Sequence, residues 1–459
     1  MDNVTSQPGQ RGRRQFLKTT AAAGGLLAMP AIVRGRDLNS RVRHASIGVG
    51  GMGSGDLDQI GQHPMVDIVA LCDVDAGTLA AAGNKFPDAR RYSDWRQLLE
   101  KEAGKIDSVN VATPDHMHAA IGMGAIRAGL ALYLQKPMCH DVAEVRALTV
   151  AAAKAGVVTQ LGTQFASSVG DRTAVQWARS GLVGRVERVF CGSNRGGAVP
   201  TYRLPGPRPA EPASPPDNLS WDLWLGTAPT RPYAPKVYHP ALWRSWQDFG
   251  TGWSGDIGCH ILDSVWRSLD LKAPVTVKAE VEAEWAADPA RRADTWPRAD
   301  LITWTFPGNP RIVGPTLDIQ WCDGAYLPPE PLRGLWPDGA FPEEFAAWVG
   351  EKGTLVLQHT GMPKLFVDGK VQQPERPQLE PRNHYHHFID AVLGRAKNES
   401  GFDHAGPMSE TVLLGTVAIR CPGETLRWDS PALAISGSAA APGLLRRTYR
   451  DGWRVEGLG

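Results

Sequence analysis

The chain has 459 residues and a formal net charge of +1. That length suits two or three domains, and 42% hydrophobic with 21% charged residues is ordinary globular composition, able to bury a sizeable core without staples. No basic excess exists to neutralise phosphates, which argues against nucleic acid, and the six cysteines form no C-x-x-C pair, which argues against a disulfide framework or a zinc ribbon.

Residues 11–18 read RGRRQFLK, and a weakly apolar run, Thr19 to Val33, follows at once. The run is shorter than the ~20 apolar residues of a membrane-spanning helix. It holds Gly24-Gly25 and ends near Pro30, with no clean A-x-A site after it. A basic, flexible N-terminus is the plainer interpretation. The twin arginine abutting an apolar run resembles a twin-arginine export signal, and that is the expectation here. It implies an exported or periplasmic protein that folds around its cofactor before export. No later segment reaches membrane-spanning length.

From His44 the pattern becomes βαβ. A short apolar strand, 44–49, runs into Gly48-Val-Gly50-Gly51-Met52-Gly53, which fits G-x-G-x-x-G, with a helix expected from about Ser54. The first glycine permits the tight turn, the second lets backbone approach a pyrophosphate, and the third lets helix pack on strand. The helix then presents N-terminal amides to phosphate. Such a motif alone also fits an ordinary turn. Here a second strand, Val66 to Cys72, ends in Asp73, which lies 20 residues beyond Gly53, where a ribose-binding carboxylate is expected. An acid there favours NAD over NADP. Asp73 also reads as a helix N-cap, and with Asp75 beside it both roles can hold. Strand runs 108–112, 130–134 and 157–161 follow, ending in Thr113-Pro114-Asp115, Gln135-Lys136-Pro137 and Gly162-Thr163-Gln164. Alternating strands and helices predict a doubly wound parallel sheet, whose ligands bind beyond the strands' carboxyl ends.

GVGGMG (48–53), LCDVD (71–75), ATPDHMH (112–118), QKP (135–137) and GDIGCHILD (255–263) together resemble the Gfo/Idh/MocA family, the glucose-fructose oxidoreductase and inositol 2-dehydrogenase relatives. The segment 219–229, LSWDLWLGTAP, is similar to the exported, glycan-associated branch. The resemblance implies a Rossmann domain followed by an α/β domain with an open, mostly antiparallel sheet and C-terminal helices. It also implies NAD(P)-dependent chemistry on a ring hydroxyl and a homo-oligomer. The family's E-K-P appears as Gln135-Lys136-Pro137, with the acid lost, which leaves the charge balance around Lys136 open. Its catalytic D-x-x-x-H appears as Asp256 and His260. The expected divisions are a signal and linker over 1–40, a dinucleotide-binding domain over 41–165 and a substrate domain over 166–459.

Four residues apart, Asp256 and His260 share one helical face. Alcohol oxidation needs a base for the hydroxyl proton, and histidine titrates near working pH. His260 is therefore the expected main acid/base. Lys136 would hydrogen-bond the reacting oxygen or share the proton, and Asp256 would orient substrate hydroxyls or His260. Taken singly, His260 reads as a satisfied helix histidine and Asp256 as a first-turn acid. Lys136 at a strand end tips the balance to catalysis. His118 matches the family's position near the nicotinamide, while His116 reads as capping and packing. Gly48, Gly50, Gly51, Met52, Gly53, Asp73, Thr113, Pro114, His118 and Lys136 are the expected cofactor contacts. No metal is expected, because Lys136 would oppose a cation at Asp256, His260 and Asp263. His384-Tyr-His386-His387 resembles a C-terminal helix that borders the active site in some relatives; such a cluster is more often a structural helix, and a metal tract is the third reading.

Of 16 tryptophans, 13 lie from Trp177 to Trp348 and only Trp95 precedes them, so the middle of the chain is built differently. A helix over 172–180 and a strand over 186–194 come first. Between Pro200 and Pro240 there are 11 prolines, yet Tyr202, Trp221, Trp224, Tyr233 and Tyr238 argue against disorder. An ordered excursion over the active site or a partner subunit is expected. Most of the tryptophans read as core, and Trp253 is the expected substrate contact because it adjoins Asp256. Strands follow near 275–283, 301–306, 317–321, 353–357 and 365–367, then a helix over 407–420. The residues thus point to an exported NAD-dependent oxidoreductase of a sugar or polyol. The rivals are a glycoside hydrolase using tightly bound NAD catalytically and a non-enzymatic sugar sensor. The intact Lys136, Asp256 and His260 argue against the sensor.

Overall fold

The computed structural model describes residues 40–194, 211–336 and 339–458. The Arg13-Arg14 signal and Tyr202 lie outside them. Strands β1 (Val42–Ile47), β2 (Val66–Cys72), β3 (Arg90–Tyr92), β4 (Ser108–Val111), β5 (Ala131–Leu134) and β6 (Thr159–Leu161) form a sheet of order β3-β2-β1-β4-β5-β6. Every neighbouring pair is parallel. Helices α1 (Met52–Gly61), α2 (Ala76–Lys85), α3 (Trp95–Glu102), α4 (Asp115–Arg127) and α5 (Val142–Ala155) connect the strands. Strands β4 and β5 are buried throughout, as expected where helices cover both faces. The order reverses between β1 and β4, which sets the ligand crevice at their carboxyl ends.

After α6 (Val169–Arg179), β7 (Val186–Ser193) begins a second sheet. It continues with β8 (Thr276–Val281), β9 (Asp300–Pro307), β10 (Thr316–Cys322), β11 (Glu344–Gly350), β12 (Gly353–Gln358), β13 (Lys364–Val367), β14 (Lys370–Gln372), β15 (Leu426–Asp429) and β16 (Ala434–Ser436). Its order is β14-β13-β12-β11-β7-β10-β9-β8-β15-β16, antiparallel except for the β7–β10 pair. In β9 burial alternates residue by residue, the period-two signature of a half-buried strand. Helices α7 (Gly252–Leu269), α8 (His384–Val392) and α9 (Phe402–Arg420) complete the architecture.

The elements differ from sequence expectation mainly at their ends. Helix α1 starts at Met52 rather than Ser54. Helix α9 starts at Phe402 and carries Pro407 inside, where the expected helix began. Proline is tolerated there near the helix start, where only Asp403 loses an amide partner.

The C-terminal segment staples the first domain. Arg447, from beyond the second sheet, meets Glu144 of α5 at 2.8 Å, and the Tyr449 hydroxyl donates to the same carboxylate at 2.6 Å. Glu144 and the Arg447 side chain are both largely buried. Removing one partner of a buried pair strands the other charge, so Arg447→Ala should cost about 3–5 kcal/mol in urea denaturation. A loss below about 1 kcal/mol, the range of an exposed pair, would contradict this role.

Candidate active site

A cavity of 790 Å³ opens along the carboxyl ends of β1, β2, β4 and β5. Its floor is the glycine turn. Gly48 has φ +79°, and a Cβ there would sit 2.7 Å from Ala112 O. A Cβ on Gly53 would meet Gly48 O at 1.9 Å, so no larger residue fits this turn. No side chain caps α1 after Gly51, so its N-terminus faces the cavity uncovered. Gly48, Gly50, Gly51, Met52, Asp73, Thr113, Pro114 and Lys136 all line the space. The turn and the uncapped helix suit a pyrophosphate. Gly53 acts from behind, through packing.

The two acids after β2 divide their work. Asp75 is the N-cap of α2, accepting from the Gly77 and Thr78 amides. Asp73 is not a cap. It accepts from Val49 N and Asp75 N, both at 2.9 Å, and so ties the glycine turn to the end of β2. Burial raises the Asp73 carboxyl above its ordinary range against those two hydrogen bonds. Both acids line the cavity, where a ribose would lie.

The 211–250 excursion roofs this space. It has its own small core, in which Leu219, Trp224, Tyr238, Trp243, Trp246 and Phe249 are buried. Stacked rings of Trp221 and Trp224, centroids 4.7 Å apart, help to order a segment with little regular structure. On one side Ala76 N donates to Asn218 O at 2.8 Å and Asn218 Nδ2 to Asp75 Oδ1 at 2.9 Å. On the other, Thr227 Oγ1 donates to His116 O at 2.7 Å, and the His116 ring lies 5.5 Å from that of Trp224. Trp224, His239, Trp243 and Arg244 thereby form one cavity wall.

The chemistry-bearing groups meet at the far end. Lys136, just past β5, lines the cavity and donates to Asp256 Oδ1 at 2.7 Å. Asp256 lies in α7, 2% exposed, with Arg244 Nε 3.8 Å from its Oδ2. The Arg244 guanidinium lies over the Trp243 ring, 4.3 Å from its centroid. His260 lies one turn farther along α7, behind the cavity lining. Its ring is edge-on to Phe165 and 5.6 Å from that of His359, and its buried Nδ1 has no hydrogen-bond partner. Burial first, then Lys136 and His359, hold its pKa well below the ordinary value, so the ring is neutral. Asp263 turns to Arg267 and His404.

Two expected contacts are corrected by geometry. Trp253 is 3% exposed and donates its indole N–H to Ser193 O at 2.7 Å, so it packs α7 on β7 instead of facing a substrate. His118 is 1% exposed, with Nδ1 2.7 Å from Pro137 O and Nε2 2.7 Å from Thr113 O. It clamps two cavity loops together and lines none of the cavity itself. His384 is likewise structural, with its ring nitrogens on Ser167 Oγ and Leu161 O.

Two further groups come from residues that sequence reasoning passed over. Asp115 lines the cavity and is 2% exposed, with Thr251 Oγ1 donating to its Oδ2 at 3.1 Å. Its signal was an acid at the first helical position after Pro114, which alone reads as dipole complement. Asp56, on α1, accepts from Gln135 Nε2 at 2.9 Å on each oxygen. The acid missing from 135 thus has a counterpart at 56, on the other side of the same hydrogen bonds.

Comparison with known proteins follows this geometry. Residues 42–163 match the family described as an oxidoreductase family, NAD-binding Rossmann fold, and 174–313 match its C-terminal alpha/beta domain, together more than half of the chain. A D-apiose dehydrogenase of Paraburkholderia graminis is 32% identical over 144 residues, 31% of this chain and 38% of that one. A glycosyl hydrolase family 109 protein of Stenotrophomonas maltophilia is 37% identical over 134 residues, 26% of this chain and 28% of that one. The chain thus spans well under half the length of either relative. The WlbA dehydrogenase of Bordetella pertussis, solved with NADH and UDP-GlcNAcA, superposes with a TM-score of 0.58 at 18% identity, over 85% of this chain and 99% of that one. At that identity the likeness is one of fold.

Proposed function

The chain belongs to the Gfo/Idh/MocA family of oxidoreductases, and on that premise we propose that it is an exported NAD-dependent dehydrogenase of a ring hydroxyl in a sugar or polyol. The observation that carries this is the Lys136–Asp256 pair, 2.7 Å apart, at the inner end of the dinucleotide cavity. Gly48 to Gly53, Asp73, Thr113 and Pro114 would hold the coenzyme. When bound, it supplies the hydride acceptor. Lys136 presents its ammonium to the reacting oxygen, and Asp256 fixes that ammonium with Arg244 as its second cation. His260, neutral and behind the cavity lining, would receive the hydroxyl proton by way of Lys136, whose ammonium gives a proton to the imidazole as it takes one from the hydroxyl. The Arg13-Arg14 signal supports export, and family resemblance supports a homo-oligomer.

Asp73 and Asp75 support NAD over NADP, because a 2′-phosphate would meet two carboxylates. Fluorescence titration should give NADH at least about tenfold tighter than NADPH, one such repulsion being worth over 1 kcal/mol. Equal affinities would remove the preference for NAD over NADP from the proposal.

The roof favours a second function. The 211–250 segment forms one cavity wall and is tied to the first domain at Asp75 and His116, which suits a retained coenzyme and a redox-neutral cycle. A glycoside hydrolase that transiently oxidises its substrate works in that way. Purified protein incubated with sugars and aryl glycosides separates the two. Stoichiometric NADH marks the dehydrogenase, aglycone release without net NADH the glycosidase, and neither outcome defeats both.

A further inference from the structure

Asp115 is the one cavity-lining carboxyl at the catalytic end that the chemistry above leaves unused. Thr251, which immediately precedes α7, donates to its Oδ2 at 3.1 Å, and Asp115 itself lines the cavity. The charges that act on it are those of Asp256, Arg244 and Lys136. Two of these line the same space, and the third is bonded to Lys136. The carboxyl therefore shares the cavity lining with Lys136 and Arg244.

We propose that Asp115 is a substrate-contacting residue whose Oδ1 hydrogen-bonds the hydroxyl adjacent to the one that reacts, so that the site selects a vicinal diol. The proposal rests on the dehydrogenase function above. Burial and the neighbouring Asp256 carboxylate raise the Asp115 carboxyl well above its ordinary range, against Arg244 and Lys136. A carboxyl that keeps its proton can donate to one hydroxyl lone pair as well as accept a hydroxyl proton. A simple secondary alcohol or a monodeoxy sugar leaves it buried without a partner, which is where hydrogen-bonding sites discriminate most strongly. Thr251 is the positioning residue, since its hydroxyl fixes the carboxyl plane.

The test uses the full chain, NAD⁺, and myo-inositol, D-glucose and D-galactose with their monodeoxy counterparts. The parent should oxidise a vicinal polyol and prefer it to the matching deoxy compound. Asp115→Ala should raise KM for that polyol about 10–100-fold, the range of one hydrogen bond to a charged or strongly polar group, and should erase the preference. Asp115→Asn, which keeps a donor and an acceptor and preserves shape, should stay within about fivefold of the parent. NADH affinity, read by fluorescence, should stay within about twofold in both variants. An unchanged KM and preference in Asp115→Ala overturns the proposal. So does a loss confined to NADH affinity, which would make the coenzyme's ribose diol the ligand. If the parent reduces NAD⁺ with none of the compounds while still binding NADH, the dehydrogenase function itself fails and takes this proposal with it.

Discussion

Replacing Lys136 by methionine should lower kcat by about a thousandfold or more and leave NADH affinity within about threefold, within the span known for removing a group that assists proton transfer. The lysine is the residue in which the two halves of the molecule meet chemically. It follows β5 of the first sheet, and its ammonium is held by Asp256 of α7, which packs on the second. Methionine keeps the length and apolar stem but removes the donor to the reacting oxygen. It also removes from Asp256 the ammonium at 2.7 Å, and Arg244 stays at 3.8 Å. Breaking a buried pair in this way costs about 3–5 kcal/mol, so thermal unfolding must be followed alongside kcat. Lys136→Arg keeps the charge but replaces a compact ammonium with a planar fork, and should recover stability better than rate. A Lys136→Met enzyme within about tenfold of the parent would shift the proton-handling role wholly to His260. Asp256 would then be a packing residue.

The cofactor half of this site was legible because its signals are local. Gly48 and Gly53 fall where a turn excludes any larger residue, and Asp73 follows β2 at a spacing set by one βαβ unit. The parallel sheet followed from alternating apolar runs, and the mostly antiparallel second sheet from resemblance. The substrate half depends on tertiary placement. Arg244 sits in WRSW, where its neighbours suggest stacking, but only the fold of 211–250 carries it to Asp256 and the cavity. Asp115 stood in the sequence only as part of the polar end of a strand, and Thr251 comes from far along the chain to hold its carboxyl. Trp253 misled because closeness in sequence to Asp256 says nothing about direction. Its indole is taken by the Ser193 carbonyl. His118 misled differently: a family position near the nicotinamide is filled here by a ring fully committed to two carbonyls.

Replacing Gln135 by glutamate, the residue its relatives' motif carries, should destabilise this chain by about 2–4 kcal/mol at pH 8, the cost of a buried carboxylate facing a like charge instead of a donor. Gln135 Nε2 bonds both oxygens of Asp56, and its Oε1 accepts from Lys136 N at 3.2 Å. Its amide therefore has one acceptable orientation, with the donor toward Asp56. Burial already lifts Asp56 from 3.8 to about 6, against hydrogen bonds from Gln135 and Tyr385. A carboxyl whose folded pKa exceeds its unfolded value binds more protons when folded. Its contribution is greatest at low pH and is lost as pH rises from about 4 to about 6. Over that window Asp56 alone contributes a loss of about 3 kcal/mol, at 1.36 kcal/mol per pH unit, read as the difference between the parent and Asp56→Asn pH profiles. A second carboxylate raises the shared pKa further, so the loss in Gln135→Glu should extend above pH 6 and be small at pH 5. Asp56→Asn alone should also destabilise, because Oδ1 can still accept from Gln135 Nε2 but the new Nδ2 faces that donor in place of an acceptor, unless Gln135 turns and releases Lys136 N. Asp56→Asn with Gln135→Glu restores one donor and one acceptor across the same gap, and the carboxylate can still accept from Lys136 N. Urea denaturation at pH 5 and pH 8 should find the double variant within about 1 kcal/mol of the parent at both, about the net worth of one hydrogen bond. If the double variant is less stable than either single one, the 56–135 contact does not set which residue carries the acid. The lost E of E-K-P would then need a cause outside Asp56.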